Sequence, residues 1–274
     1  MRPAGGAPVG LLPAAGRGVR FGTSGYIKEL FPLFFISEGD DHILEPRPLC
    51  ELALRAIRAA GAERCVVLVS PEKAEVLRAL GDGMAVGMTL AYVVQAEPGG
   101  LPHAVRCAGP WLGERDVVFA MPDTIVLPPD ALARVHARRL ETAADLTLGV
   151  FPVEEPERFG PVEVAPGGTV LRILDKPSHR EVKTVWGLAS WSGEFTRFCE
   201  VWDERAERER SGERVLSHAF EAARQAGLAV NALAFDDGVY LDIGTPRGLR
   251  AALRLLSERG VLEQVQAALG LTAS

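Results

Sequence analysis

Short, unbroken apolar runs alternating with longer amphipathic stretches are the feature that most narrows the fold of this chain. Val9–Leu12, Cys65–Val69, Met88–Val94, Asp116–Ala120 and Leu146–Val150 read as strands. Between them, Pro48–Ala60 carries Leu49, Leu52, Leu54 and Ile57 along one side and stops near Gly61, the pattern of a helix. Ser70-Pro71-Glu72 predicts a capped helix start with proline in its first turn. Leu101–Ala108 and Pro129–Leu140 complete the helical set. Strands that are apolar on every residue must be covered on both faces. The pattern therefore predicts an α/β fold with a mostly parallel (mixed) sheet flanked by helices.

After Phe151 the texture changes. Gly160–Val164 and Thr169–Leu174 flank Ala165-Pro166-Gly167-Gly168, a strong hairpin signal. Val185–Trp191 reads as a strand, followed by two charged amphipathic helices within Gly193–Arg210 and Glu213–Gln225. Ala229–Phe235 and Val239–Asp242 read as the last strands and Pro246–Ser257 as a helix. There are no repeats and no low-complexity linker, so the expectation is one α/β domain over residues 1–258 with a β-rich insertion in its second half. Residues 259–274 are expected to form a short helical tail. The acidic stretch Ser37–Glu45 interrupts apolar sequence and is expected to face water as a loop, with a metal site as the competing reading.

Composition excludes several classes. A chain of 274 residues can bury a core without disulfide staples. Its net charge of −6 argues against a nucleic-acid-binding surface. The four cysteines, Cys50, Cys65, Cys107 and Cys199, have no paired metal spacing and sit in apolar segments, as buried free thiols do. No run is long enough for a signal peptide core or a membrane span; Leu30–Ile36 is short and broken by Pro32. A reduced, cytoplasmic setting is the expectation.

Within that frame the stretch Leu11–Gly22 draws the chemistry. An apolar run ends in a loop carrying Gly16, Gly18 and Gly22 with Arg17 and Arg20, and Lys28 follows. Such a loop lets bare backbone N–H groups approach a polyphosphate, while Arg20 offers a fork of donors and Lys28 a mobile charge. In a parallel sheet, ligands gather at the carboxyl ends of the strands, where this loop would sit. Asp123 and Asp242 each stand at a strand end, and a hard cation is commonly held by one or two carboxylates plus substrate phosphates. A turn or capping role is the competing reading for each aspartate. Lys176 closes the strand after the hairpin, with Pro177 fixing the exit of the chain, although a lysine at a strand end is usually solvated. Gln95 begins a strand-to-helix loop, and its amide can pair with both a donor and an acceptor on a base edge. Trp186 and Trp191 suit core better than sugar stacking. The five histidines are scattered and no Ser-His-Asp or Cys-His arrangement stands out.

Together these segments resemble the sugar-1-phosphate nucleotidyltransferases, the family of glucose-1-phosphate thymidylyltransferases and uridylyltransferases. The resemblance runs from about Val9 to about Ala252. Ala15-Gly16-Arg17-Gly18-Val19-Arg20 with Ile27-Lys28 stands for the opening G-G-x-G-T-R and downstream P-K; Gln95 to Leu101 matches Q-x-x-P-x-G-L; Pro122-Asp123 stands for G-D. Phe159-Gly160-Pro161-Val162-Glu163 with Asp175-Lys176-Pro177 stands for the hairpin and its E-K-P, and Asp242-Ile243-Gly244-Thr245-Pro246 keeps D-x-G-T-P unchanged. The resemblance implies a Rossmann-like fold with a sugar-binding insertion, and an enzyme joining a nucleoside triphosphate (dTTP or UTP favoured) to a sugar-1-phosphate with release of pyrophosphate. It implies that Arg20 and Lys28 are catalytic and hold the triphosphate, with Ala15, Gly16 and Gly18 beside it and Gln95 and Gly100 on the base. Gly160, Asp175 and Lys176 would bind the sugar phosphate, Asp123 and Asp242 would hold Mg²⁺, and a homo-oligomer is compatible with the family.

The match has departures: Val19 for Thr, Ile27 for Pro and Asp175 for Glu. Two rivals stay open within the resemblance, a catalytically silent relative that binds these ligands to regulate a partner, and a transferase acting on another phosphorylated alcohol. A dinucleotide-binding oxidoreductase is disfavoured, because the glycine spacing after Gly16 is wrong by one for that fingerprint.

Overall fold

Five apolar runs become the strands that the pattern predicts, β1 (Val9–Pro13), β4 (Arg64–Val69), β5 (Thr89–Val94), β6 (Val117–Ala120) and β8 (Leu146–Pro152). They are seen in a computed structural model that describes residues 6–16, 27–37, 44–97, 99–177, 182–209 and 214–257, without the side chains of 33–37 and 44–45. With β11 (Thr184–Trp191) and β12 (Val230–Ala234) they form a seven-stranded sheet in the order β12-β8-β11-β6-β1-β4-β5. Neighbours pair in parallel except β11, which runs antiparallel to both β6 and β8. The sheet is thus mixed. The strand Val185–Trp191 lies inside it rather than in the second-half insertion.

Successive strand residues point to opposite faces, so each face has its own core. Leu11, Val66, Phe119 and Leu148 meet α3 (Leu101–Leu112), α5 (Gly193–Arg208) and α6 (Leu216–Gln225) on one side. Leu12, Val67, Val118 and Leu188 meet α1 (Cys50–Ala59), α2 (Ala74–Leu80) and α4 (Ala131–Thr142) on the other. Trp191, fully buried, packs against Phe119 and Phe195 in the first of these cores, as expected of a core tryptophan.

Several local expectations change. Ser70 makes no side-chain cap; Pro71–Lys73 forms a short 3-10 turn and the helix starts at Ala74. The helix expected to end at Ala108 continues to Leu112, through Gly109 and Pro110. Gly109 lets it pass close to Glu200 of α5, and the buried Leu112 rewards the extra turn. Apolar Pro32–Ser37 (β2) pairs antiparallel with Leu44–Pro48 (β3), so both ends of the acidic stretch are strands while residues 38–43 lie outside the described ones. Cys50, Cys65 and Cys199 are buried, but Cys107 is only half-buried. All four are free thiols. The C-terminal tail falls outside the described residues.

Two further pieces flank the sheet. The hairpin β9 (Val162–Val164) and β10 (Val170–Ile173) forms where its turn signal predicts. The second, β7 (Thr124–Leu127) with β13 (Val239–Asp242), was not legible as a pair: Thr124–Leu127 follows β6 too closely to stand out as a separate strand. Leu49, Ile125, Leu127 and Ile243 pack beneath α7 (Pro246–Leu256), whose N-cap Thr245 accepts a hydrogen bond from the Gly248 N–H.

Gly10 sets how closely α1 approaches the sheet. A Cβ there would run into Ile57 Cγ2 and lie 2.9 Å from Cys65 Sγ. Gly10→Ala is expected to destabilise the fold by about 1–3 kcal/mol, the ordinary cost of overpacking a well-filled core. Urea unfolding followed by circular dichroism checks this.

Candidate functional site

Because β1, β5 and β6 run parallel in one sheet, the loops that leave their carboxyl ends share one edge, and there they border a cleft of about 610 Å³. The loop after β1 contributes Ala15 and Gly16, the loop after β5 contributes Gln95 and Gly100, and the turn after β6 contributes Asp123. Lys28, Gly160, Asp175, Lys176 and Asp242 line the same cleft from elements far away in sequence. Gly18 and Arg20 lie outside the described residues. All the other site residues that the resemblance implies therefore come together.

The centre of the cleft is a charge cluster. The register of the β7–β13 pair places Asp242 opposite Thr124, next to Asp123, and the Ile243 N–H donates to the Asp123 carbonyl at 3.0 Å. Lys28, on the 3-10 turn Lys28–Leu30, donates through Nζ to Asp123 Oδ2 in a short charge-assisted bond. Asp242 Oδ1 accepts from the Gly244 N–H at 2.7 Å. A Cβ at Gly244 would stand 2.8 Å from Asp242 Oδ1, 2.9 Å from Asp123 Oδ2 and 3.2 Å from Lys28 Nζ, so the three groups crowd one point. Burial alone would lower the Lys28 pKa. Asp123, with help from Glu29 and Asp242, outweighs it and holds the ammonium above the ordinary lysine value.

This donor set suits a hard divalent cation shared with a substrate. Two carboxylate oxygens converge, and among the described residues no group of three or more His, Cys, Asp or Glu side chains could hold a metal alone. Substrate phosphates would have to complete the coordination. Behind the cluster, Lys73 Nζ bonds Glu29 Oε1 at 2.7 Å and the Ala14 carbonyl at 3.0 Å. This buried pair, which the sequence reading passed over, ties the turn bearing Lys28 to the root of the Gly16 loop.

On one flank, Gln95 is almost wholly buried. Its Nε2 lies 2.9 Å from His103 Nδ1 and 3.4 Å from the Gly100 carbonyl. Gly100 has φ of 88°, the left-handed region that favours glycine, and a Cβ there would collide with the Arg214 carbonyl. Neither His103 nor Arg214 figured in the sequence reading. His103 had a usable signal, since it stands three residues into the helix that Gly100 opens; Arg214 had none, because α5 to α6 carries no motif.

On the other flank Gly160 packs against Trp186 and Ser217, whose hydroxyl accepts from Trp186 Nε1 at 2.8 Å. Trp186 thus serves both core and cleft, stacked edge-on to Phe220 at 5.2 Å. Asp175 Oδ2 lies 3.6 Å from His218 Nε2. Lys176 has φ of 39°, rare for a residue with a side chain, and its N–H donates to the Phe159 carbonyl at 3.0 Å. A position held against its backbone preference at a cleft wall fits a side chain whose direction matters.

The chain matches the model of the family described as nucleotidyl transferase over residues 42–259. It is 33% identical to glucose-1-phosphate thymidylyltransferase of Streptomyces griseus over 135 residues, which cover 48% of this chain and 37% of that protein. It is 29% identical to the low-salt glycan biosynthesis nucleotidyltransferase of Haloferax volcanii over 217 residues, 77% of this chain and 58% of that one. These alignments span between about two-fifths and three-fifths of the relatives' own lengths. Among solved structures, the UTP-bound UGPase from Acinetobacter baumannii superposes with a TM-score of 0.70 at 22% identity, covering 97% of this chain and all of that one. A structure from Bacillus anthracis in complex with a sucrose reaches a TM-score of 0.78 at 19% identity, covering 92% and 96%. The last two likenesses speak for the fold alone. With the fold, the cleft and the family match in agreement, the chain belongs to the nucleotidyl transferase family.

Proposed function

We propose that this protein joins a nucleoside triphosphate to a sugar-1-phosphate, forming a nucleotide sugar and releasing pyrophosphate. The observation that carries the reading is the meeting of Lys28, Asp123 and Asp242 at one point between the Gln95–Gly100 flank and the Gly160–Asp175–Lys176 flank. The first flank would take the base and the second the sugar phosphate. The triphosphate would then lie over the Gly16 loop, beside Lys28. Gln95 and Gly100 suit a pyrimidine, and dTTP or UTP is the nucleotide proposed.

The chemistry needs no protein nucleophile. A sugar-1-phosphate is largely dianionic at neutral pH, since a phosphate's second pKa is about 6. Its oxygen attacks the α-phosphorus in line and pyrophosphate leaves. What the protein must supply is position and positive charge, because two anions have to meet. Lys28 stays protonated throughout the neutral range and meets the charge that builds on the α-phosphoryl oxygens. Lys176 holds the incoming phosphate, and Asp175 and Gly160 meet the sugar. Asp123 and Asp242 would hold Mg²⁺, which when bound screens the triphosphate and polarises its phosphoryl oxygens. A catalytically silent binder would have no use for both carboxylates at the reacting point.

Pyrophosphate release across a grid of nucleoside triphosphates and sugar-1-phosphates tests this. Release is expected only with both substrates and Mg²⁺ present. Asp123→Asn and Lys28→Ala are each expected to cut it by about 100-fold or more, the scale of losing a group that faces transition-state charge. Release that persists in both variants, or with one substrate alone, rejects the proposal. Gly244→Ala should keep the fold by circular dichroism yet raise the Mg²⁺ concentration for half-maximal release by roughly tenfold, because its methyl group pushes the two carboxylates apart.

A further inference from the structure

Gln95 sits at the end of β5 with its amide nitrogen between two partners. The Gly100 carbonyl can only accept, so the atom facing it at 3.4 Å is the NH₂ group. The same NH₂ faces His103 Nδ1 at 2.9 Å. His103 Nδ1 must then offer its lone pair, which puts the ring proton on Nε2, directed at Cys107 Sγ 3.4 Å away, one helical turn on. Both amide hydrogens are drawn toward the wall. Oε1 has no hydrogen-bond partner among the described residues, and Gln95, only 5% exposed, lines the cleft.

We propose that His103 is a positioning residue that holds the Gln95 amide with its oxygen facing the base, so that the choice between uracil or thymine and cytosine depends on the protonation of His103. The proposal rests on the reading of the cleft as a nucleotide site. Uracil and thymine present an N3–H donor, which Oε1 accepts; cytosine presents an N3 lone pair, which Oε1 opposes. A polar group left facing its like in a nearly closed site discriminates strongly. When His103 gains a proton, Nδ1–H becomes a donor facing another donor. The amide must let go or turn over, and in either case the acceptor for N3–H is lost.

The groups around the ring decide where that happens. Arg106 and Cys107 face it from its own helix, Asp203 and Glu207 from α5, and Arg214 from the segment before α6. Burial first, then Arg106, pushes His103 below the ordinary histidine value; Asp203 and Glu207 pull the other way, and Arg214 adds to the lowering. The imidazole is therefore neutral and the amide locked at neutral pH. The preference should be full above the His103 pKa and be lost as pH falls through it.

Calorimetric titration of the 274-residue chain with UTP and with CTP, each with Mg²⁺, at about pH 8 and about pH 5 tests this, the lower value being set well under the ordinary histidine range because burial lowers His103. The ratio of the two affinities cancels effects on the common triphosphate. The wild type is expected to lose UTP preference by on the order of tenfold at the lower pH. His103→Asn keeps an acceptor near Nδ1 that does not titrate, and should hold its preference at both values. His103→Ala should show the weakened preference at both; should it fail to fold, the wild type against His103→Asn decides. An unchanged ratio in the wild type, a ratio in His103→Asn that falls as the wild type's does, or full preference in His103→Ala overturns the lock while nucleotide binding stands. If neither nucleotide binds the wild type, or Gln95→Ala binds UTP as the wild type does, the reading of the base site falls and the lock falls with it.

Discussion

The ion pair between Lys28 and Asp123 is the interaction on which the rest of the cleft depends. Asp123 is nearly fully buried and Lys28 mostly so, and neither charge could stay in that place without the other. Removing a carboxylate from water is expensive, so the pair demands that three distant pieces of chain arrive together. The 3-10 turn brings Lys28, the end of β6 brings Asp123, and β13 brings Asp242 to the same point. An ammonium at this point already supplies positive charge where phosphates would lie.

A second buried pair supports the first. Glu29 is the neighbour of Lys28, and its bond to Lys73 is anchored on the Ala14 carbonyl. The lysine turn and the glycine-loop root are thereby held to each other by hydrogen bonds that water cannot replace cheaply. The flanks are built differently. The Gln95 flank relies on a glycine in left-handed conformation and a histidine-held amide, and the Gly160 flank on an aromatic wall of Trp186 and Phe220 with a lysine held at positive φ. Rigid elements thus present groups of opposite character across one cleft, the arrangement that the proposed function would use.

Much of this was legible in the sequence for a single reason. A strand buried on both faces is apolar at every residue, and a chain that alternates such strands with helices delivers its loops to one sheet edge. Gly16 could be placed at that edge on this ground alone, while Asp123 could join it only if its strand end faced the same cleft, and Gln95 was assigned through the family resemblance. The hairpin around Pro166 was equally plain, since its turn residues are chosen for local backbone geometry. The β2–β3 hairpin was missed because Pro32, Pro46 and Pro48 weaken any strand reading, and the tail of α3 because Gly109 and Pro110 read as a stop. In both cases tertiary contacts overrode local preference.

What the sequence determined by itself was the class of sheet, its covered faces and the identity of the groups that could meet phosphate, base and cation. Those are matters of periodicity and side-chain chemistry, and they are written locally. Only the tertiary structure decided that Asp242 lies beside Asp123, that β11 runs antiparallel in the sheet's middle, and that His103 and Arg214 enclose Gln95 and Gly100. Each of these is a pairing between segments far apart in the chain, and no local pattern encodes which distant partner a strand or a side chain will find. Packing of the two cores against the sheet makes that choice.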